Sequence, residues 1–127
     1  MVGAKMATIL TIGLHPNAID YTKHPGLDEA TLTARIEQGH AALRAAGFDA
    51  VSCLIGSDPD AAENTVRERL SEGPFSVVMI GGGVRMAPEH TLLFERLINV
   101  LAVAAPGIRF CFNTSPETTI DALRRSL

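Results

Sequence analysis

The chain contains no tryptophan, one tyrosine and two cysteines among its 127 residues. The two cysteines, Cys53 and Cys111, each lie in an apolar run typical of a β-strand. In the strand order derived below these runs are the two edge strands, about three strand spacings of ~4.8 Å apart. A disulfide needs Cα atoms within ~7 Å of each other. The sequence therefore predicts two separate buried thiols that pack as small hydrophobic side chains.

Lysine is also scarce. Two lysines and nine arginines are scattered along the chain, and the net charge is −3. Because no basic stripe results, we expect no nucleic-acid partner. The longest early apolar run, residues 7–14, is too short to cross a membrane, and no small-residue cleavage pattern follows it. We therefore expect a cytoplasmic protein without membrane association.

What the chain does have is a regular alternation of apolar β-type runs and helical patterns. The predicted strands are residues 7–14, 50–55, 75–80 and 108–112. The predicted helices are residues 28–46, 58–70, 89–104 and 115–127. Such alternation predicts a parallel sheet with right-handed crossovers. We expect one α/β domain over residues 1–127, a three-layer, flavodoxin-like sandwich with strand order 2-1-3-4, in which the first and last helices cover one face.

Two of the predicted helices have unusual features. Gly39, in the middle of the first helix, costs about 1 kcal/mol relative to alanine, which predicts a close approach of that helix to the sheet. The third helix has too many apolar residues for a single stripe. We expect it to be buried more completely than one sheet face allows, and this excess predicts a homodimer.

The connection after the first strand, residues 15–26, is longer than the two to six residues usual in α/β units. Such a length is typical of a lid or a binding loop. Tyr21 within it either closes over a ligand or fixes the loop in place, and the sequence favours neither. His40, on the apolar side of the first helix, is expected to be a residue at the boundary of the core.

The strand order reverses between the first and third strands, and in such sheets ligands bind at the carboxyl ends of the strands beside the reversal. Three glycines and then Arg85 follow the third strand there. Consecutive glycines let backbone N–H groups approach an anion, to which Arg85 adds a bidentate contact. The alternative is a tight turn with Arg85 in solvent. The candidate ligand-binding residues are His15, Gly81, Gly82, Gly83, Arg85 and Asn113.

The glycine run matches no phosphate-binding fingerprint. Met86 occupies the place of the third glycine of the dinucleotide motif, and the run follows the third strand rather than the first. No Gly-Lys-Ser or Gly-Lys-Thr occurs, which excludes a P-loop. Response-regulator receivers share the expected architecture, but their phosphorylated aspartate would lie where the glycines are, and His15-Pro16 replaces their acidic pair. The sequence identifies no cofactor.

Several segments together resemble a known group of proteins. They are residues 78–85 (VMIGGGVR), 92–95 (LLFE), 97–99 (LIN), 105–107 (APG) and 112–114 (FNT). In these segments the chain resembles small uncharacterised bacterial α/β proteins of the flavodoxin-like or Rossmann-like type. The resemblance spans the whole chain and implies the fold, but no catalytic residue.

Three functions remain open. The first is a small-molecule or anion-binding domain with its site at the carboxyl ends of strands 1 and 3, where His15 is the best candidate for a catalytic residue. The second is a homo-oligomeric interaction module without catalysis. The third is a metal-assisted hydrolase using His15, His24 and His90, although their spacing matches no metal signature. Whether the domain is an enzyme is left open by the sequence.

Overall fold

The computed structural model describes residues 8–127, which form a four-stranded parallel sheet with helices on both faces. The strands are β1 (Thr8–Leu14), β2 (Asp49–Ile55), β3 (Val77–Ile80) and β4 (Arg109–Phe112). Their order is β2-β1-β3-β4, and all three pairings are parallel. The predicted three-layer α/β architecture and the predicted strand order are therefore confirmed.

The helices begin and end close to the predicted boundaries, with one addition. They are α1 (Glu29–Ala45), α2 (Pro59–Leu70), α3 (Gly82–Arg85), α4 (Thr91–Ala104) and α5 (Thr119–Ser126). Asp28 caps α1 by accepting a hydrogen bond from the Thr31 N–H at 2.7 Å, and Asp58 caps α2 through the Ala61 N–H at 2.9 Å. The short α3 is the addition, since we expected only a glycine turn between the third strand and the next helix. None of the helices in residues 8–127 is long and apolar enough to cross a membrane.

The two faces of the sheet carry separate hydrophobic clusters, as the predicted layers require. On one face, buried side chains of α2 and α4 pack against residues such as Leu10 and Ile12 of β1. On the other face, Leu43 of α1 and Leu123 of α5 pack against Ile9. Because side chains alternate along a strand, successive residues of β1 contribute to opposite clusters.

Within the single chain, α4 is buried on the side that faces the sheet and α2, so the additional burial expected for this helix stays a prediction. Four of its side chains are buried, Leu93, Leu97, Val100 and Leu101. These face the sheet and α2, whereas Leu92 and Val103 are 70% and 76% exposed. The extra apolar residues of this helix therefore face outward, and the homodimer stays a prediction.

Both cysteines are free and buried in the edge strands, as predicted. Burial raises the pKa of the Cys53 thiol to about 11 and also raises the pKa of the Cys111 thiol. A buried thiol with a raised pKa is a poor nucleophile, so both cysteines act as small core residues.

The α1 face of the sheet is packed less fully toward the carboxyl ends of the strands. Along β1 the residues on this face become smaller, from Ile9 to Thr11 to Gly13. Gly39 of α1 lies opposite, and the nearest atoms to the place of its missing side chain belong to Pro116, at 3.5 and 3.8 Å. The predicted close approach of Gly39 to the sheet is therefore wrong, because its close neighbour is the turn before α5. The small residues leave a space between α1 and the sheet.

Candidate functional site

The space between α1 and the sheet is a cavity of about 360 Å³, which we call the α1 cavity. It lies between α1, the carboxyl ends of the strands and the loop after β1. Most of its lining is apolar and comes from the sheet, α1 and that loop. Examples are Leu14, Ile19, Leu32, Ile36, Leu54 and Met79. Ligand pockets usually measure roughly 300–1,000 Å³ and are predominantly apolar, so the α1 cavity has the size and character of a small-molecule site.

Three hydrogen-bonding side chains lie together in the lining, Thr11, Ser52 and His40. Thr11 of β1 and Ser52 of β2 are direct partners in the strand register. The Thr11 hydroxyl is 3.2 Å from His40 Nε2 and 3.4 Å from the Val51 carbonyl oxygen. Burial, with a smaller contribution from Arg44, lowers the pKa of His40. The neutral imidazole is therefore favoured at neutral pH, and we call these three residues the polar patch.

An ion pair lies at the edge of the α1 cavity. Arg35 of α1 donates from Nε and Nη2 to both carboxylate oxygens of Glu117, at 2.9 and 2.7 Å. This bidentate contact lowers the pKa of the Glu117 carboxyl to about 2. Arg35 also lines the cavity, but its charge is already matched by Glu117.

The glycine turn forms one end of the α1 cavity, yet most of its N–H groups are already bonded. Gly81 donates to the Ile12 carbonyl oxygen at 2.8 Å, and Gly82 donates to Asn113 Oδ1 at 2.9 Å. The N–H groups of Val84 and Arg85 both donate to the Gly81 carbonyl oxygen. An anion at this turn would have to displace such bonds, with the Gly83 N–H as the exception.

Asn113 connects three elements at the end of β4. The residue is 6% exposed. Besides accepting from Gly82, it donates from Nδ2 to the Thr119 hydroxyl at 2.8 Å, at the start of α5. Asn113 therefore holds the glycine turn, β4 and α5 together and lies in the cavity lining at the same time.

Arg85 does not line the α1 cavity. Its Nη2 donates to the Asn113 carbonyl oxygen at 2.9 Å, and its guanidinium carbon lies 5.4 Å from the centroid of the Phe112 ring. Phe112 in turn contacts Phe94 of α4 edge-on. Arg85 is thus held on the α4 side of the sheet, where it makes a cation–π contact instead of facing a ligand in the cavity.

The three candidate histidines are not brought to one point. His15 accepts a hydrogen bond from the Asn17 N–H through Nδ1 at 3.1 Å. It lines neither the α1 cavity nor the smaller cavity described next. His24 and His90 share a smaller cavity of about 210 Å³ beside the α1 cavity. Within residues 8–127 no group of three or more His, Cys, Asp or Glu side chains is placed to hold a metal ion. The geometry of this part of the chain therefore lends no support to the metal-assisted hydrolase.

The loop after β1 is fixed at two points. The Tyr21 hydroxyl donates to the Pro16 carbonyl oxygen at 2.6 Å, so this tyrosine fixes the loop in place. Lys23 forms an ion pair of 3.1 Å with Glu89, which lies beyond the glycine turn. Ile19 and His24 of the same loop line both cavities, so the loop forms part of the wall between them.

Four of the six predicted ligand-binding residues thus line the α1 cavity, namely Gly81, Gly82, Gly83 and Asn113. His15 and Arg85 lie outside it. Our sequence analysis placed His40 at the boundary of the core but missed that it lies together with Thr11 and Ser52 in the polar patch. A signal was present, because the decrease in size from Ile9 through Thr11 to Gly13 on one face of β1 indicates an unfilled region.

Comparison of the chain with protein-family models, curated proteins and solved structures finds no match. The predicted resemblance to small bacterial α/β proteins is therefore supported only at the level of architecture, a small α/β protein with a parallel sheet.

Proposed function

We propose that this domain binds a small molecule in the α1 cavity. The observation that carries the proposal is the cavity itself: about 360 Å³, mostly apolar, with a few clustered hydrogen-bonding groups. Its position also supports the proposal, because β1 and β3 flank the point where the strand order reverses. We infer in addition that the fold is flavodoxin-like, since the order 2-1-3-4 is that of a flavodoxin sheet shortened by one strand.

The anion predicted from the glycine run stays a prediction. It depended on free N–H groups of the turn, which are mostly bonded within the chain, and on Arg85, which donates to the Asn113 carbonyl oxygen and lies outside the α1 cavity. The apolar lining is the stronger support, so the proposal is built on the α1 cavity and not on the glycine turn. The glycine turn and Asn113 then act as a wall that shapes the cavity.

A thermal-shift screen of small apolar and amphipathic compounds tests this proposal. A ligand present at about 100 times its dissociation constant stabilises the folded state by about 2.7 kcal/mol, which raises the melting temperature measurably. Leu32→Trp places a larger side chain in the lining of the cavity. Each compound that stabilises the unmodified protein is expected to lose its effect on this variant.

Leu92→Trp is the matched control, because it makes the same substitution on the opposite side of the sheet at a position that is 70% exposed. Compounds that bind in the α1 cavity should stabilise this control as strongly as the unmodified protein. If the compounds stabilise Leu32→Trp as strongly as they stabilise the unmodified protein, they bind outside the α1 cavity, and the proposal is contradicted.

A further inference from the structure

The chemistry of the cavity wall restricts which molecules the α1 cavity accepts. The polar patch of Thr11, Ser52 and His40 lies beside apolar side chains of α1 and the sheet, whereas Asn113 and Thr119, at another part of the lining, already bond each other. Among the described residues, the Ser52 hydroxyl has no hydrogen-bond partner and the His40 ring has one, the Thr11 hydroxyl at Nε2. The patch therefore has unused donors and acceptors that face an apolar space.

Among the residues that the structure describes, the cavity wall has one permanently charged side chain, and this side chain is paired. Arg35 is the one arginine in the lining, and both carboxylate oxygens of Glu117 already accept from it. Burial favours the neutral form of His40 by lowering its pKa. A carboxylate or phosphate entering the cavity would lose its hydration and would find, in the described part of the lining, no lysine and no arginine without a carboxylate partner, which is strongly unfavourable.

We propose that the ligand of the α1 cavity is an uncharged molecule with an apolar body and one hydroxyl or carbonyl group, held by Ser52, His40 and Thr11. The inference rests on the proposed function of small-molecule binding and specifies its ligand class. A serine hydroxyl donates and accepts, and a neutral imidazole does both through its two nitrogens. The polar patch can therefore pair with a hydroxyl or a carbonyl without any change in charge.

The size of the cavity agrees with a compact ligand. An apolar cavity of roughly 150 Å³ holds benzene, so the α1 cavity of about 360 Å³ has room for a ring with substituents. Aromatic probes that differ in one group are therefore suitable for a test. We choose three probes that share a tolyl body. Toluene carries no polar group, p-cresol carries a hydroxyl, and 4-methylbenzoate carries a carboxylate.

The experiment measures the affinity of the full chain for each probe by calorimetry at about pH 8, above the ordinary histidine pKa of about 6.5. We expect p-cresol to bind at least as tightly as toluene, and 4-methylbenzoate to bind at least tenfold more weakly than p-cresol. The double variant Thr11→Val, Ser52→Ala removes both hydroxyls with little change in volume. It should bind p-cresol about three- to tenfold more weakly and toluene with unchanged affinity.

Toluene binding keeps the two proposals distinguishable and also shows that the double variant retains its cavity. If toluene binds but the double variant keeps its affinity for p-cresol, the polar patch does not hold the ligand and the inference is wrong. Binding of 4-methylbenzoate as tight as that of p-cresol also overturns it, in favour of an anion. In both cases small-molecule binding stands, whereas absence of binding by all three probes counts against both proposals.

Discussion

Replacing Asn113 with alanine should destabilise the protein through contacts made by a single buried side chain. Asn113 Oδ1 accepts from the Gly82 N–H at 2.9 Å, and Nδ2 donates to the Thr119 hydroxyl at 2.8 Å. Alanine can make neither bond. Thr119 keeps its own donation to the Pro116 carbonyl oxygen, so the main group left without its partner is the Gly82 N–H.

The magnitude follows from these contacts. Two hydrogen bonds at about 1 kcal/mol each give roughly 2 kcal/mol, and an N–H left without an acceptor in a partly buried position adds to this. We expect the free energy of unfolding to fall by about 2–3 kcal/mol. Domains of this size are stable by roughly 5–15 kcal/mol, so the variant should still fold and its stability should be measurable.

Urea unfolding followed by far-UV circular dichroism suits a chain without tryptophan. The midpoint of Asn113→Ala should fall while the slope m stays unchanged. Asn99→Ala is the matched control, since Asn99 is exposed in the middle of α4 and alanine is the better helix former. If Asn113→Ala lies within about 0.5 kcal/mol of this control, the range typical of surface substitutions, the assignment of Asn113 as the connection between the three elements is refuted.

Two further predictions concern pH. The Arg35 contact lowers the pKa of Glu117 from 4.5 to about 2. The ion pair therefore contributes to the free energy of unfolding above pH 4.5, and this contribution is lost as the pH falls toward 2. Because the Glu117 side chain is 58% exposed, we expect Glu117→Gln to lower the free energy of unfolding by only about 0.5–1 kcal/mol at neutral pH. The free energy of unfolding of this variant should also depend less on pH between about 2 and 4.5. An unchanged pH dependence in that range would contradict the role assigned to the ion pair. Burial lowers the pKa of His40 from 6.5, so the wild-type protein should lose stability as the pH falls below about 6.5, when the unfolded chain takes up a proton that the folded state resists. His40→Gln should remove this loss, and equal pH profiles for the two proteins would show that His40 titrates as it does in the unfolded chain.

The fold was predictable because its signals are local and repeated. The apolar run ending at Leu14, the caps Asp28 and Asp58, and the alternation of strands with helices fix the elements and hence a parallel sheet. The order 2-1-3-4 then follows from a few topological rules. The exposed side of α4 was not predictable in this way, because the number of apolar residues in a helix does not determine how many of them find a neighbour.

The site was predictable only in part. The carboxyl ends of β1 and β3 were the expected location, and Gly81, Gly82, Gly83 and Asn113 line the cavity found there. The orientation of Arg85 was not available from the sequence, because it depends on the helical turn of α3 and on the ring of Phe112 on the next strand. The polar patch was missed because Thr11 and Ser52 lie 41 residues apart and meet only through the strand register.

The three glycines of the turn do not share one physical reason. A side chain at residue 82 would place its Cβ 3.1 Å from Met86 Sδ and 3.2 Å from the Thr114 carbonyl oxygen, so these neighbours would have to move by a few tenths of an ångström, and the close packing of the turn favours glycine there. A Cβ at residue 83 would make only ordinary contacts, at 3.7 Å to Leu14 and 3.8 Å to Ile19, and both of these residues line the α1 cavity. Backbone sterics therefore explain Gly82 but leave Gly83 unexplained. An added side chain at residue 83 would contact two residues of the cavity lining, so a substitution there would change the wall of the α1 cavity and leave the packing of the turn itself intact.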